Sequence, residues 1–96
     1  MANTNGRQPV IRTPEFHNMC NRVRDLRERM GMSRPEFGEA VGVPPTTLKN
    51  IELGYREGSS MLYHRMTCKF KEPAKVLAYL FGYAELEETP ELQEAK

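Results

Sequence analysis

The stretch GVPPTTLKN, residues 42–50, restricts the chain more than any other. A proline pushes the residue before it out of the α region into extended or polyproline space. A helix N-cap residue adopts that same extended backbone. Pro45 at the first helical position therefore sets Pro44 in N-cap geometry, and Pro44 does the same to Val43. Gly42 supplies the left-handed residue that closes whatever helix precedes it. The stretch thus predicts two helices joined by a sharp, stiff turn of a few residues. Pro44 has no side-chain oxygen with which to cap the amides of Thr46 and Thr47. Those N–H groups are left facing outward at the positive end of the helix dipole, where a phosphate or a base edge can accept them.

The helix before the turn begins at a capping box, Ser33-Arg34-Pro35-Glu36, with Phe37, Ala40 and Val41 inward. Gly38 sits in its middle, where it costs about 1 kcal/mol against alanine. Keeping it there implies that another helix crosses very close. The helix after the turn runs from Pro45 to about Leu53, with Leu48 and Ile51 inward and Thr46, Lys49 and Asn50 outward, and Gly54 ends it. Upstream, Thr13-Pro14-Glu15 opens a longer helix. Its apolar residues Phe16, Met19, Cys20, Val23, Leu26 and Met30 fall in steps of three and four, and Gly31 stops it. Downstream, 61–70 suits either a fourth helix, through Leu62, Met66 and Phe70 at i, i+4 and i+8, or an extended segment. The spacing favours the helix. Residues 71–82 read as a fifth, opened by Glu72-Pro73 and closed by Gly82.

These elements divide the chain into a disordered N-terminal arm (1–12), one all-α domain (13–83) and an acidic, disordered tail (84–96). Ninety-six residues support one small core, burying roughly 60–70% of the extended surface. The net charge of +1 conceals a division. Residues 1–83 carry thirteen basic and eight acidic side chains, a net +5, whereas 84–96 carry five acids and one base. A basic body suits nucleic acid. No apolar run approaches the ~18–20 residues that span a bilayer, and the N-terminus shows no secretory pattern, so the expected location is the cytoplasm. Two cysteines make no disulfide framework. His17/Cys20 and His64/Cys68 are helically spaced pairs that could together ligate zinc, but nothing in the sequence brings them together, and the expectation is no metal and no cofactor.

A short capped helix, a tight turn and a second short helix with polar outward positions form a helix-turn-helix at about 34–53. Over residues 23–54, VRDLRERMGMSRPEFGEAVGVPPTTLKNIELG, the ordered set Leu26-Arg27, Ser33-x-x-Glu36-Phe37, Val41-Gly42-Val43 and Leu48-x-x-Ile51-Glu52-x-Gly54 resembles the Cro and λ-repressor (XRE-type) family. The resemblance implies a compact five-helix λ-repressor-like DNA-binding domain whose third helix is the recognition helix. It implies that Pro45, Thr46, Lys49 and Asn50 meet base edges or nearby phosphates. By the same resemblance, Arg34, at the start of the second helix, and Tyr55 and Arg56, in the following loop, touch the phosphate backbone. Arg27 and Glu52 match a structural ion pair. This chain departs from the pattern in having glycine at 38 and prolines at 44 and 45, which removes one base-reading side chain.

The expected function is a sequence-specific DNA-binding transcriptional regulator, a repressor binding double-stranded DNA at an inverted repeat as a homodimer. Leu80, Phe81 and Tyr83, with Tyr63 and Tyr79, are candidates for the dimer contact. Two alternatives stand beside it. One is an antitoxin that binds a toxin through the first helix and acidic tail while repressing its own operon. The other is an adaptor that keeps the fold without binding DNA. The chain carries no Ser-His-Asp set and no glycine-rich phosphate loop, so it is not expected to be an enzyme.

Overall fold

Capping side chains set where most of the helices begin. In the computed structural model, which describes residues 13–93, Thr13 Oγ1 accepts the Phe16 amide at 3.1 Å and opens α1, Pro14–Arg29. Glu15 sits in its first turn and Arg27 and Arg29 in its last, each complementing the helix dipole. The capping box at α2, Arg34–Val41, is complete: Ser33 Oγ accepts the Glu36 amide at 3.3 Å, and Glu36 Oε1 accepts the Ser33 amide at 2.8 Å. That backbone donor, with the Ser33 hydroxyl, holds the Glu36 carboxyl below its ordinary pKa. The helix after the proline turn, α3, spans Pro45–Glu52. Ser59 caps α4, Ser60–Thr67, through a 3.0 Å bond from the Leu62 amide. The choice left open for 61–70 therefore resolves as helix, followed by a turn. α5 is Pro73–Leu80. The arm expected over 1–12 lies outside the described residues.

Among the described residues the architecture is all-α, five helices with one isolated antiparallel bridge between Phe70 and Leu92. α3 packs on α1 and α2, α5 packs on α1 and α4, and α4 closes against α2. Val23 and Leu26, Phe37 and Val41, Leu48 and Ile51, Met66 and Phe70, and Val76 and Leu80 meet in the centre, each almost wholly buried. Residues at i and i+3 or i+4 share a helix face, so α1, α2, α3 and α5 each contribute a pair, while α4 contributes Met66 and the turn after it Phe70. Among the described residues no helix is long and apolar enough to cross a membrane.

Three expectations are corrected. The tail does not stand free over 84–93. Glu85 pairs with Arg22 at 3.2 Å, the Leu86 carbonyl accepts from Arg29, and 91–93 lie antiparallel to 69–71 through Lys71 N–H to Glu91 O (2.9 Å) and Gln93 N–H to Lys69 O (2.8 Å). Leu86 and Leu92 pack against the core and give this acidic segment an apolar reason to dock. Second, the atom nearest a Cβ at Gly38 belongs to the turn, with Pro45, the first residue of α3, just beyond it. A Cβ there would collide with the carbonyl oxygen of Val43 in the turn. Third, Tyr63, Tyr79 and Leu80 belong to the core rather than to an outer face, and Phe81 and Tyr83 alone of that group stay exposed.

Candidate nucleic-acid interface

Pro44 takes φ −58° and ψ 141°, the extended N-cap geometry that Pro45 imposes, and makes no side-chain cap. The first internal bond of α3 runs from the Leu48 amide to the Pro44 carbonyl at 3.0 Å. Pro44 offers no side-chain acceptor, so the amides of Thr46 and Thr47 are left without partners among the described residues. Pro44, Pro45, Thr46 and Lys49 are exposed, and Asn50 is half-buried. The inward side of α3 is closed by Leu48 and Ile51. The helix thus presents one polar side and an uncovered positive end to solvent.

At the far end, Gly54 enters the left-handed region with φ 79°, and the amides of Tyr55 and Arg56 both bond to the Asn50 carbonyl, at 2.8 and 3.3 Å. The chain folds back on the helix end, and the loop holds Tyr55, 63% exposed, and Arg56 beside the polar side of α3. Leu53, also exposed, sits between them and the helix. Sequence reasoning gave Leu53 no role because it treated it as the last residue of the helix.

Glu52 lies inside the molecule, its side chain fully shielded. Arg27 of α1 grips it with two bonds, Nε at 2.8 Å and Nη2 at 3.0 Å, and gives Nη1 to the Met32 carbonyl at 3.0 Å. The carboxylate raises the Arg27 pKa further, mainly by hydrogen bonding. Arg34 adds a third bond from Nε at 3.1 Å, with its side chain one-third exposed. A carboxylate at a helix C-terminus opposes the dipole, and two guanidinium groups offset that conflict. One acid therefore ties the end of α3 to the end of α1 and the start of α2. Arg34, expected at the phosphate backbone, spends its Nε on Glu52 and keeps only its terminal nitrogens for an outside anion.

Two further cations flank the turn. A Cβ at Gly42 would meet Lys69 Cε at 3.7 Å and Arg65 Cδ at 3.9 Å, so both side chains of the α4 region lie beside the turn. The His and Cys pairs do not converge. Cys20 is buried and Cys68 exposed, both as thiols, and His64 Nε2 approaches Cys68 Sγ at 3.6 Å. No cluster of three or more metal-ligating side chains exists among the described residues.

Residues 23–58, from the middle of α1 to the loop after α3, match the helix-turn-helix family model. No curated protein matched the chain. Residues 23–58 thus carry a helix-turn-helix of the Cro/C1 (XRE) type, a module of DNA-binding regulators.

Proposed function

We propose that the chain is a repressor that reads an inverted-repeat operator in double-stranded DNA as a homodimer. The observation that carries this is the state of α3: its polar side, Thr46, Lys49 and Asn50, faces solvent, and its N-terminal amides are uncapped. In that arrangement Lys49 and Asn50 serve as hydrogen-bond donors to guanine or adenine edges, and Thr46 and the Pro45 ring meet a thymine methyl. Arg34, Tyr55 and Arg56 contact phosphates on either side, and Arg65 and Lys69 add positive potential beside the turn. Each phosphate contact contributes about −0.9 to the slope of log K against log salt.

One such helix covers about 4–5 base pairs, too short an address in a genome. A two-fold dimer doubles the site and sets the two helices about 34 Å apart, one DNA turn. The outer side of α5 supports this. Ala74, Leu77, Ala78 and Phe81 share one apolar face, and Tyr83 follows it, 82% exposed. The antitoxin reading loses a support, because the acidic segment assigned to a toxin contact is engaged with Arg22 and Arg29 of its own chain.

Selection of bound sequences from a random DNA pool tests the proposal. The expected result is an inverted repeat with half-site centres about ten base pairs apart. Lys49→Ala and Asn50→Ala should each weaken the selected site by roughly tenfold or more, and random DNA far less. Recovery of no enriched sequence would sink the reading.

A further inference from the structure

Gly38 lies buried in the middle of α2, and its backbone is not in the left-handed region that favours glycine. It is there for space. The atom that claims the space is the Val43 carbonyl oxygen, onto which a Cβ would fall, with Pro45 N and Cγ at 3.5 and 3.6 Å beyond it. That carbonyl is held from three directions. The Val43 side chain is 2% exposed in the core, its amide bonds the Gly38 carbonyl at 2.8 Å, and Pro44 confines its ψ to the extended range. Residue 43 cannot easily swing aside to admit a side chain at 38.

We propose that Gly38 is a positioning residue for DNA recognition: lacking a Cβ, it admits the carbonyl that the Pro44-Pro45 pair drives against α2, and so sets the angle at which α3 meets the duplex. The inference rests on the sequence-specific reading by α3 proposed above. Glu52 and its two arginines pin the C-terminal end of α3, and Leu48 and Ile51 hold its inner side. The N-terminal end has no cap and exposed prolines. A push from residue 38 is therefore taken up at the N-terminal end, which carries Thr46 and the uncapped amides. Hydrogen bonds to base edges tolerate a displacement of only a few tenths of an ångström before they weaken.

The test is a cycle of four full-length proteins: wild type, Gly38→Ala, Pro44→Ser and the double variant. Each is measured for Tm and for affinity to a selected duplex and a random duplex at one salt concentration. Gly38→Ala is expected to lower Tm by ~5–20 °C through overpacking. It should weaken the selected duplex by about tenfold or more and the random duplex by less than about threefold. Pro44→Ser frees ψ of Val43, so in that background the same alanine should cost less than half as much on both readouts. Equal Tm costs in the two backgrounds would overturn the coupling, and equal losses on both duplexes would reduce Gly38 to a purely structural residue. If Gly38→Ala does not fold, a folded double variant supports the coupling and an unfolded one refutes it. A wild-type chain with no sequence preference would remove the recognition reading and the positioning role with it, while the Tm cycle would still judge the steric coupling alone.

Discussion

Glu52→Gln removes one charge from the best-shielded ionic group in the molecule and keeps its shape. The carboxylate accepts three charge-assisted bonds, at 2.8, 3.0 and 3.1 Å, with no exposed side-chain surface. Glutamine retains one acceptor oxygen and places an NH2 group where a second acceptor stood, against a guanidinium that also only donates. Arg27 is then stranded, its side chain 13% exposed. Breaking one partner of a buried pair costs 3–5 kcal/mol. The Arg27 bond to the Met32 carbonyl survives, so the lower end applies, about 3 kcal/mol. Against a total of 5–15 kcal/mol that is a large share. With an m-value of about 1 kcal/mol/M for a chain this small, the urea midpoint should fall by about 3 M. Arg34→Gln should cost no more than about 1 kcal/mol, because Arg34 is one-third exposed and Glu52 keeps both bonds from Arg27. Arg27→Met combined with Glu52→Leu should recover most of the loss, since neither charge is then stranded. A midpoint shift below about 0.5 M for Glu52→Gln at unchanged m, or an equal cost for Arg34→Gln, would refute the reasoning.

Burial pushes the Tyr63 hydroxyl up to about 12, above the value of about 10 expected in an unfolded chain. A group raised on folding stabilises fully below its unfolded pKa and loses that contribution as pH rises through its folded one. Between pH 10 and 12 the wild type should therefore lose about 2 kcal/mol more than Tyr63→Phe, and parallel stability curves for the two would contradict the burial argument. Leu92→Ala should lift the docked segment while leaving the five helices intact. The cost should be about 1 kcal/mol, below that of a fully buried leucine. Hydrogen exchange should show lost protection at the Lys71 and Gln93 amides, which bond only across the bridge. Retained protection would mean that the polar contacts, rather than Leu92, hold the strap.

The parts of the fold that were legible are those whose causes lie within a few residues. Thr13, the Ser33–Glu36 box and the glycines at 31, 42, 54 and 82 act on amides and dihedrals beside them, so the helix limits could be read directly. The apolar spacing told which side of α3 faces inward for the same reason. Spacing did not show which atom fills a gap. Gly38 announced a close approach, yet only the three-dimensional turn shows that a carbonyl five residues later makes the tightest contact, ahead of the first residue of α3. The tail was misread for a related reason. Leu86 and Leu92 lie six apart among five acids and have no helical or strand period, so composition argued for disorder. Their partners are arginines more than fifty residues away and a turn more than twenty residues away, contacts that leave no local trace. Arg34 shows the same limit at the candidate site itself. Its place at the start of α2 was readable, whereas its bond to Glu52 depends on how α2 and α3 cross. Local chemistry thus marks which residues face outward on α3, and tertiary packing decides how firmly, and at what angle, they are held there.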